Sequence, residues 1–157
     1  MAKSKVKMPE DIKKKCHVAI HTATAAAGAA GAIPIPMADA LPITAAQITM
    51  IVALGKVFDV SISQSVARSV IGCGLATQVG RAVFTNVLKA VPVAGQIAGP
   101  IVAASTAVAV TEALGWVVAD DFYRLSVGKN PENLVGVADD LKKIFDGLEG
   151  SRIFKGE

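Results

Sequence analysis

Ile33-Pro34-Ile35-Pro36-Met37-Ala38-Asp39-Ala40-Leu41-Pro42-Ile43-Thr44-Ala45-Ala46 decides how the chain is laid out, and it has a partial echo 58 residues later. There the sequence reads Val91-Pro92-Val93-Ala94-Gly95-Gln96-Ile97-Ala98-Gly99-Pro100-Ile101. Each copy sets an apolar-Pro-apolar turn eight residues before a second Pro-Ile, then enters an apolar segment that ends Ala-Leu-Gly at Gly55 or Gly115. Pro34 and Pro92 stop a preceding helix, because the residue before a proline is pushed out of the helical region. Pro42 and Pro100 fit the first turn of the next helix, where a missing N–H is harmless. Pro34, Pro36, Pro42, Pro92 and Pro100 are thus read as turn residues of two helical hairpins.

Charge is segregated along the 157 residues, whose net charge is +3. Lys3, Lys5, Lys7, Lys13, Lys14 and Lys15 crowd the start, against Glu10 and Asp11. Residues 16–119 hold only Asp39, Lys56, Asp59, Arg68, Arg81, Lys89 and Glu112, and the other 14 charges follow in residues 120–157. Apolar residues make up 52% of the chain, mostly Ala, Val and Ile with few aromatics, so helices are expected to approach closely. Neither the small net charge nor the scarce aromatics suit nucleic acid. A lysine-rich start suits an anionic membrane surface, each Lys near it adding about 1 kcal/mol, or a solvated tail. Cys16 and Cys73 lack paired spacing and read as core thiols of a reducing compartment.

The run Cys16–Ala38 is long, Ala-rich and without a clean cleavage site, so it does not read as a secretory leader. A spanning helix needs about 20 predominantly apolar residues. Cys16–Ala38 carries His17, His21, Thr22 and Thr24, and Ala90–Thr111 carries Pro92, Gln96 and Pro100. A cytoplasmic bundle is therefore expected, peripheral to the inner membrane or, in the alternative, inserted in it.

Residues 1–8 read as a basic tail, 9–149 as one helical domain and 150–157 as a frayed end. The first helix starts at Pro9 and runs to about Ala30. The second covers about Ala38–Phe58 with Asp39 as cap. Ser61-Ile62-Ser63-Gln64 fits a capping box that opens a helical region reaching about Ala90. Gly72, Ala76 and Gly80 share a face at four-residue spacing, as do Gly95, Gly99, Ala103 and Ala107, and such ladders mark close helix crossings. After Pro100 a helix continues towards Tyr123. Asn130 as cap and Pro131 in the first turn then open an amphipathic helix bearing Leu134, Val137, Leu141, Ile144, Phe145 and Leu148. With no strand pattern of any length, the fold class is all-α: a multi-helix bundle of two Pro-turn hairpins plus a C-terminal amphipathic helix.

Little of this points to chemistry. His17 and His21, four apart, are weak metal candidates; a closed site needs three or four ligands and no second pair supplies them. They are expected to be partly buried, and no metal, cofactor or catalytic residue is assigned. Hydrolase, zinc-protease and dinucleotide motifs are missing, and Gly55-Lys56 lacks the earlier glycine of a phosphate loop. Isolated charges in an apolar bundle call for partners. Asp39 or Glu112 is expected either to pair with Arg68 or Arg81 across helices or to lie at a wet helix end.

Gly31-Ala32-Ile33-Pro34-Ile35-Pro36-Met37-Ala38-Asp39, together with Leu88-Lys89-Ala90-Val91-Pro92-Val93-Ala94-Gly95 and Thr111-Glu112-Ala113-Leu114-Gly115, resembles a bacterial helical domain of the YcjF-like type. That domain is often joined to Era-type GTPase domains. More distantly, the chain is similar to the helical region of immunity-related GTPases. The resemblance spans about residues 17–124, with Met37 where such domains commonly carry Gly. It implies a helical module acting beside a GTPase or at a membrane, with no catalytic residues. The expected function is a non-catalytic interaction or scaffold module that docks on itself, on a partner such as a GTPase, or on an anionic membrane. A membrane-inserting hairpin protein is the alternative, and a small-molecule or metal-binding enzyme a weaker one.

Overall fold

Proline lacks the N–H that a helix interior needs, yet it fits the first turn, and both Pro42 and Pro100 are found there. The structure, a computed structural model, describes residues 6–31, 40–75 and 99–155. Among these are five α-helices and no strand: α1 (Glu10–Gly31), α2 (Ala40–Val57), α3 (Gln64–Leu75), α4 (Gly99–Ser126) and α5 (Ala138–Lys155). The chain is an all-α multi-helix bundle. The turns at Pro34, Pro36 and Pro92, the Asp39 cap and residues 76–90 of the helical stretch expected to reach Ala90 lie outside the described residues.

α4, 28 residues long, is the element on which the rest packs; it touches α1, α2, α3 and α5. Its stripe Thr111, Leu114, Val118, Phe122 and Leu125 repeats at helical spacing and is buried throughout. Ile20, Met50, Leu54, Val70 and Leu141 close the same core from the other four helices. Each such side chain contributes about 1.5–3 kcal/mol when fully buried. The Phe122 ring sits edge-on to Phe58 at 6.3 Å and to Phe145 at 5.5 Å, linking α5 to the turn after α2.

Small residues set the tightest crossings. A methyl group on Gly115 would lie 2.7 Å from Cγ1 of Ile20 and 3.0 Å from Sδ of Met50, so α1, α2 and α4 meet there. One expected ladder fails at its first member. Gly72 is exposed and a methyl group there would touch nothing, whereas Gly74, two residues on, lies against Leu114. Equal spacing marks a face of the helix, and here it marks the solvent face of α3. Ala76, Gly80 and Gly95 lie outside the described residues.

The starts of α3 and of α5 differ from the sequence expectation. α2 ends in a Schellman turn: Asp59 takes φ 61°, its N–H donates to the Lys56 carbonyl at 3.0 Å, and that of Val60 to Gly55 at 2.9 Å. Val60 and Ile62 are then buried while Ser61 and Ser63 are exposed. This alternation keeps residues 60–63 out of the helix. The cap of α3 is therefore Ser63 rather than Ser61, its Oγ accepting the Val66 N–H at 3.2 Å. α4 also ends in a Schellman turn, with Gly128 at φ 80° and the Lys129 N–H donating to the Arg124 carbonyl at 2.8 Å.

The last α-helix begins at Ala138, not at Pro131, after a 3-10 turn at Val135–Val137. It runs to Lys155, through the residues expected to be frayed from 150 on. Its apolar face turns inward on the same chain, burying Leu141 and Phe145.

Candidate functional site

Three places hold the polar chemistry of the described residues. The first is inside the bundle, at the α4–α5 junction. Asp121 is fully buried, on the inward stripe of α4 between Val118 and Leu125. Its Oδ1 accepts the N–H of Glu132 at 3.0 Å, and its Oδ2 accepts those of Asn133 and Leu134, both at 2.8 Å. A carboxylate that receives several N–H donors is well solvated by the protein itself. One turn on, Arg124 Nε donates to the Asn130 carbonyl at 2.8 Å, and its guanidinium pairs with Glu132 at 3.2 Å. These two residues of α4 together hold the loop. This is why α5 starts late: a side chain from another helix takes the N–H groups that Asn130 was expected to cap.

Asp120, also buried, acts on Cys16. Burial, with the Asp120 charge as the smaller cause, pushes the Cys16 thiol up to about 11, so it stays a neutral packing group. Between α2 and α4, Gln47 Nε2 donates to Thr111 Oγ1 at 3.2 Å with both residues buried. Among the described residues no buried side-chain nitrogen or oxygen lacks a hydrogen-bond partner. The interior polar groups are thus taken up by the fold.

The second place is a groove of about 430 Å³ between α1 and α2, lined by Thr22, Ala23, Ala26, Ala45, Ala46, Thr49 and Met50. Thr22 donates its hydroxyl to the Val18 carbonyl at 2.8 Å and Thr49 to that of Ala45 at 2.9 Å. Their hydroxyls serve their own helices, and no ionisable side chain among the described residues lines the groove. Apart from those two hydroxyls its described lining is apolar.

The third is the outer face of α1. Lys13, Lys14, His17, Val18 and His21 are exposed there. Both histidines are exposed, contrary to the partial burial expected of them, and His17 lies at the rim of the core beside Trp116. Their ring centroids are 4.0 Å apart, and His17 lies 6.1 Å from the Trp116 ring. Among the described residues no group of three or more His, Cys, Asp or Glu side chains gathers at one point.

Arg68 on α3 is exposed and Glu112 on α4 is half-buried, and they do not pair with each other. The ion pair between described residues is Arg124–Glu132. Asp39 and Arg81 lie outside the described residues. The groups that sequence reading missed are Asp121, Arg124 and Gln47. A signal for Asp121 existed: it falls on the apolar stripe of Leu114, Val118 and Leu125, where a carboxylate needs donors.

No protein-family model matches the chain, and neither a curated protein nor a solved structure has significant similarity to it.

Proposed function

We propose that the chain is a non-catalytic helical interaction module that uses its fold as a scaffold, working beside a partner such as a GTPase or at an anionic membrane surface. The observation that carries this reading is the use made of the interior polar groups. Asp121 is fully engaged in holding three backbone N–H groups, and none of the described residues lining the α1–α2 groove is ionisable. A catalytic acid or base instead needs an open path to a reacting atom. Exposed Lys13, Lys14 and Lys15 at the start of α1 supply positive charge for an anionic partner. No helix among the described residues is long and apolar enough to cross a membrane, which favours docking over insertion.

Sizing in detergent-free buffer, followed by flotation with neutral and anionic vesicles, tests the proposal. Monodisperse protein in buffer, with flotation on anionic vesicles alone and release by salt, places the module at the lipid surface. Monodisperse protein that stays with the soluble fraction directs it to a protein partner. Recovery only in detergent would replace the proposal with the membrane-inserting alternative.

A further inference from the structure

We propose that His17 and His21 form an open two-imidazole chelate for a late first-row divalent cation of the nickel, copper and zinc class. The inference is independent of the scaffold reading. Residues four apart on a helix are neighbours on one face, and here the two rings have closed to 4.0 Å with a 41° tilt. Two imidazoles at that separation can each turn a nitrogen to one point about 2 Å away, the metal–nitrogen distance of such ions. No hydrogen bond to another described residue occupies either ring. Both side chains are exposed, so a hydrated ion reaches them without entering the core.

The donor set decides which ions fit. Two imidazoles and no carboxylate suit nickel, copper or zinc and not the oxygen-seeking magnesium or calcium. With no third ligand gathered among the described residues, water or a donor from another molecule fills the remaining positions. Lys13 and Lys14, one turn earlier on α1, oppose a bound cation; both are exposed, so salt screens them. The chelate bridges one helical turn of α1, a geometry absent from the unfolded chain. A bound ion therefore also stabilises the fold.

Trp116 supplies the readout: it is the single tryptophan of the chain, and its ring lies 6.1 Å from that of His17. The full chain, free of any affinity tag, is titrated with Ni²⁺ while Trp116 fluorescence is followed. A Cys73→Ser background removes the part-exposed thiol as an alternative ligand. The expected result is saturable quenching that Zn²⁺ reverses by competition and Mg²⁺ does not produce. His17→Ala and His21→Ala are each expected to weaken Ni²⁺ binding by about tenfold or more. Both positions are exposed, and circular dichroism of the variants checks that the fold is kept. Absence of saturable quenching at millimolar Ni²⁺, or a His21→Ala titration that superimposes on the parent, would overturn the proposal.

Discussion

Asp121 and Leu134 are joined across the α4–α5 connection by a 2.8 Å bond from the Leu134 N–H to Asp121 Oδ2. Leu134 is itself fully buried, so this bond fixes where the chain re-enters the core before α5. Replacing Asp121 with Ala would leave three backbone donors without their acceptor, those of Glu132 and Asn133 included. The expected loss is about 3–5 kcal/mol, the range for breaking a buried charged network by removing one side. Asp121→Asn keeps one acceptor oxygen and is expected to lose less. Urea unfolding measures the loss, and amide exchange at Leu134 and in α5 should quicken ahead of that in α1. Uniform exchange across the chain would mean that the clamp is not local.

Two glycines predict opposite signs for the same substitution. Gly72 lies within α3 facing open space, so Gly72→Ala is expected to stabilise by about 0.5–1 kcal/mol through helix propensity and reduced unfolded-state freedom. Gly115→Ala inserts a methyl group 2.7 Å from Cγ1 of Ile20, a fully buried side chain. That change is expected to destabilise by about 1–3 kcal/mol. Thermal melts of the two variants should move in opposite directions.

The bundle was legible where local chemistry acts alone. Pro42 and Pro100 mark helix starts, and the spacing of Leu141 and Phe145 marks an inward face. Reading failed where a distant residue overrides a local signal. Asn130-Pro131 looks like a helix start, but Asp121 and Arg124 on another helix claim that loop. Ser61 looks like a cap, but burial of its neighbours Val60 and Ile62 holds it outside the helix. Spacing placed Gly72 on a face without saying which face was covered. The site residues were less legible still, because Gln47 and Thr111 are separated by 64 positions and nothing local couples them.

That pair makes the next prediction. Gln47→Leu would leave the Thr111 hydroxyl without its cross-helix donor, and Thr111→Val would leave the Gln47 amide without its acceptor. Each single change is expected to lose about 1–3 kcal/mol. Combining them removes both polar ends from the α2–α4 contact and should recover part of that loss. A double-mutant cycle by denaturant unfolding gives the coupling. Strict additivity would show that the bond contributes nothing beyond its separate groups.

Cys16 predicts a pH dependence. Burial first, and the Asp120 carboxylate second, push its thiol from an ordinary 9.0 up to about 11. Between those values the folded protein keeps a proton that the unfolded chain has released. The stabilisation is therefore complete below pH about 9 and is lost as pH rises through about 11, a change on the order of 2 kcal/mol. Other groups titrate in the same range, so the comparison is with Cys16→Ala, in which their contribution remains. Urea midpoints taken from pH 8 to pH 11 should fall more steeply for the parent than for the variant. Thiol labelling of the native protein at pH 8 should reach part-exposed Cys73 well before buried Cys16. Equal labelling rates, or parallel pH profiles for parent and variant, would show that the thiol is not held protonated by its surroundings.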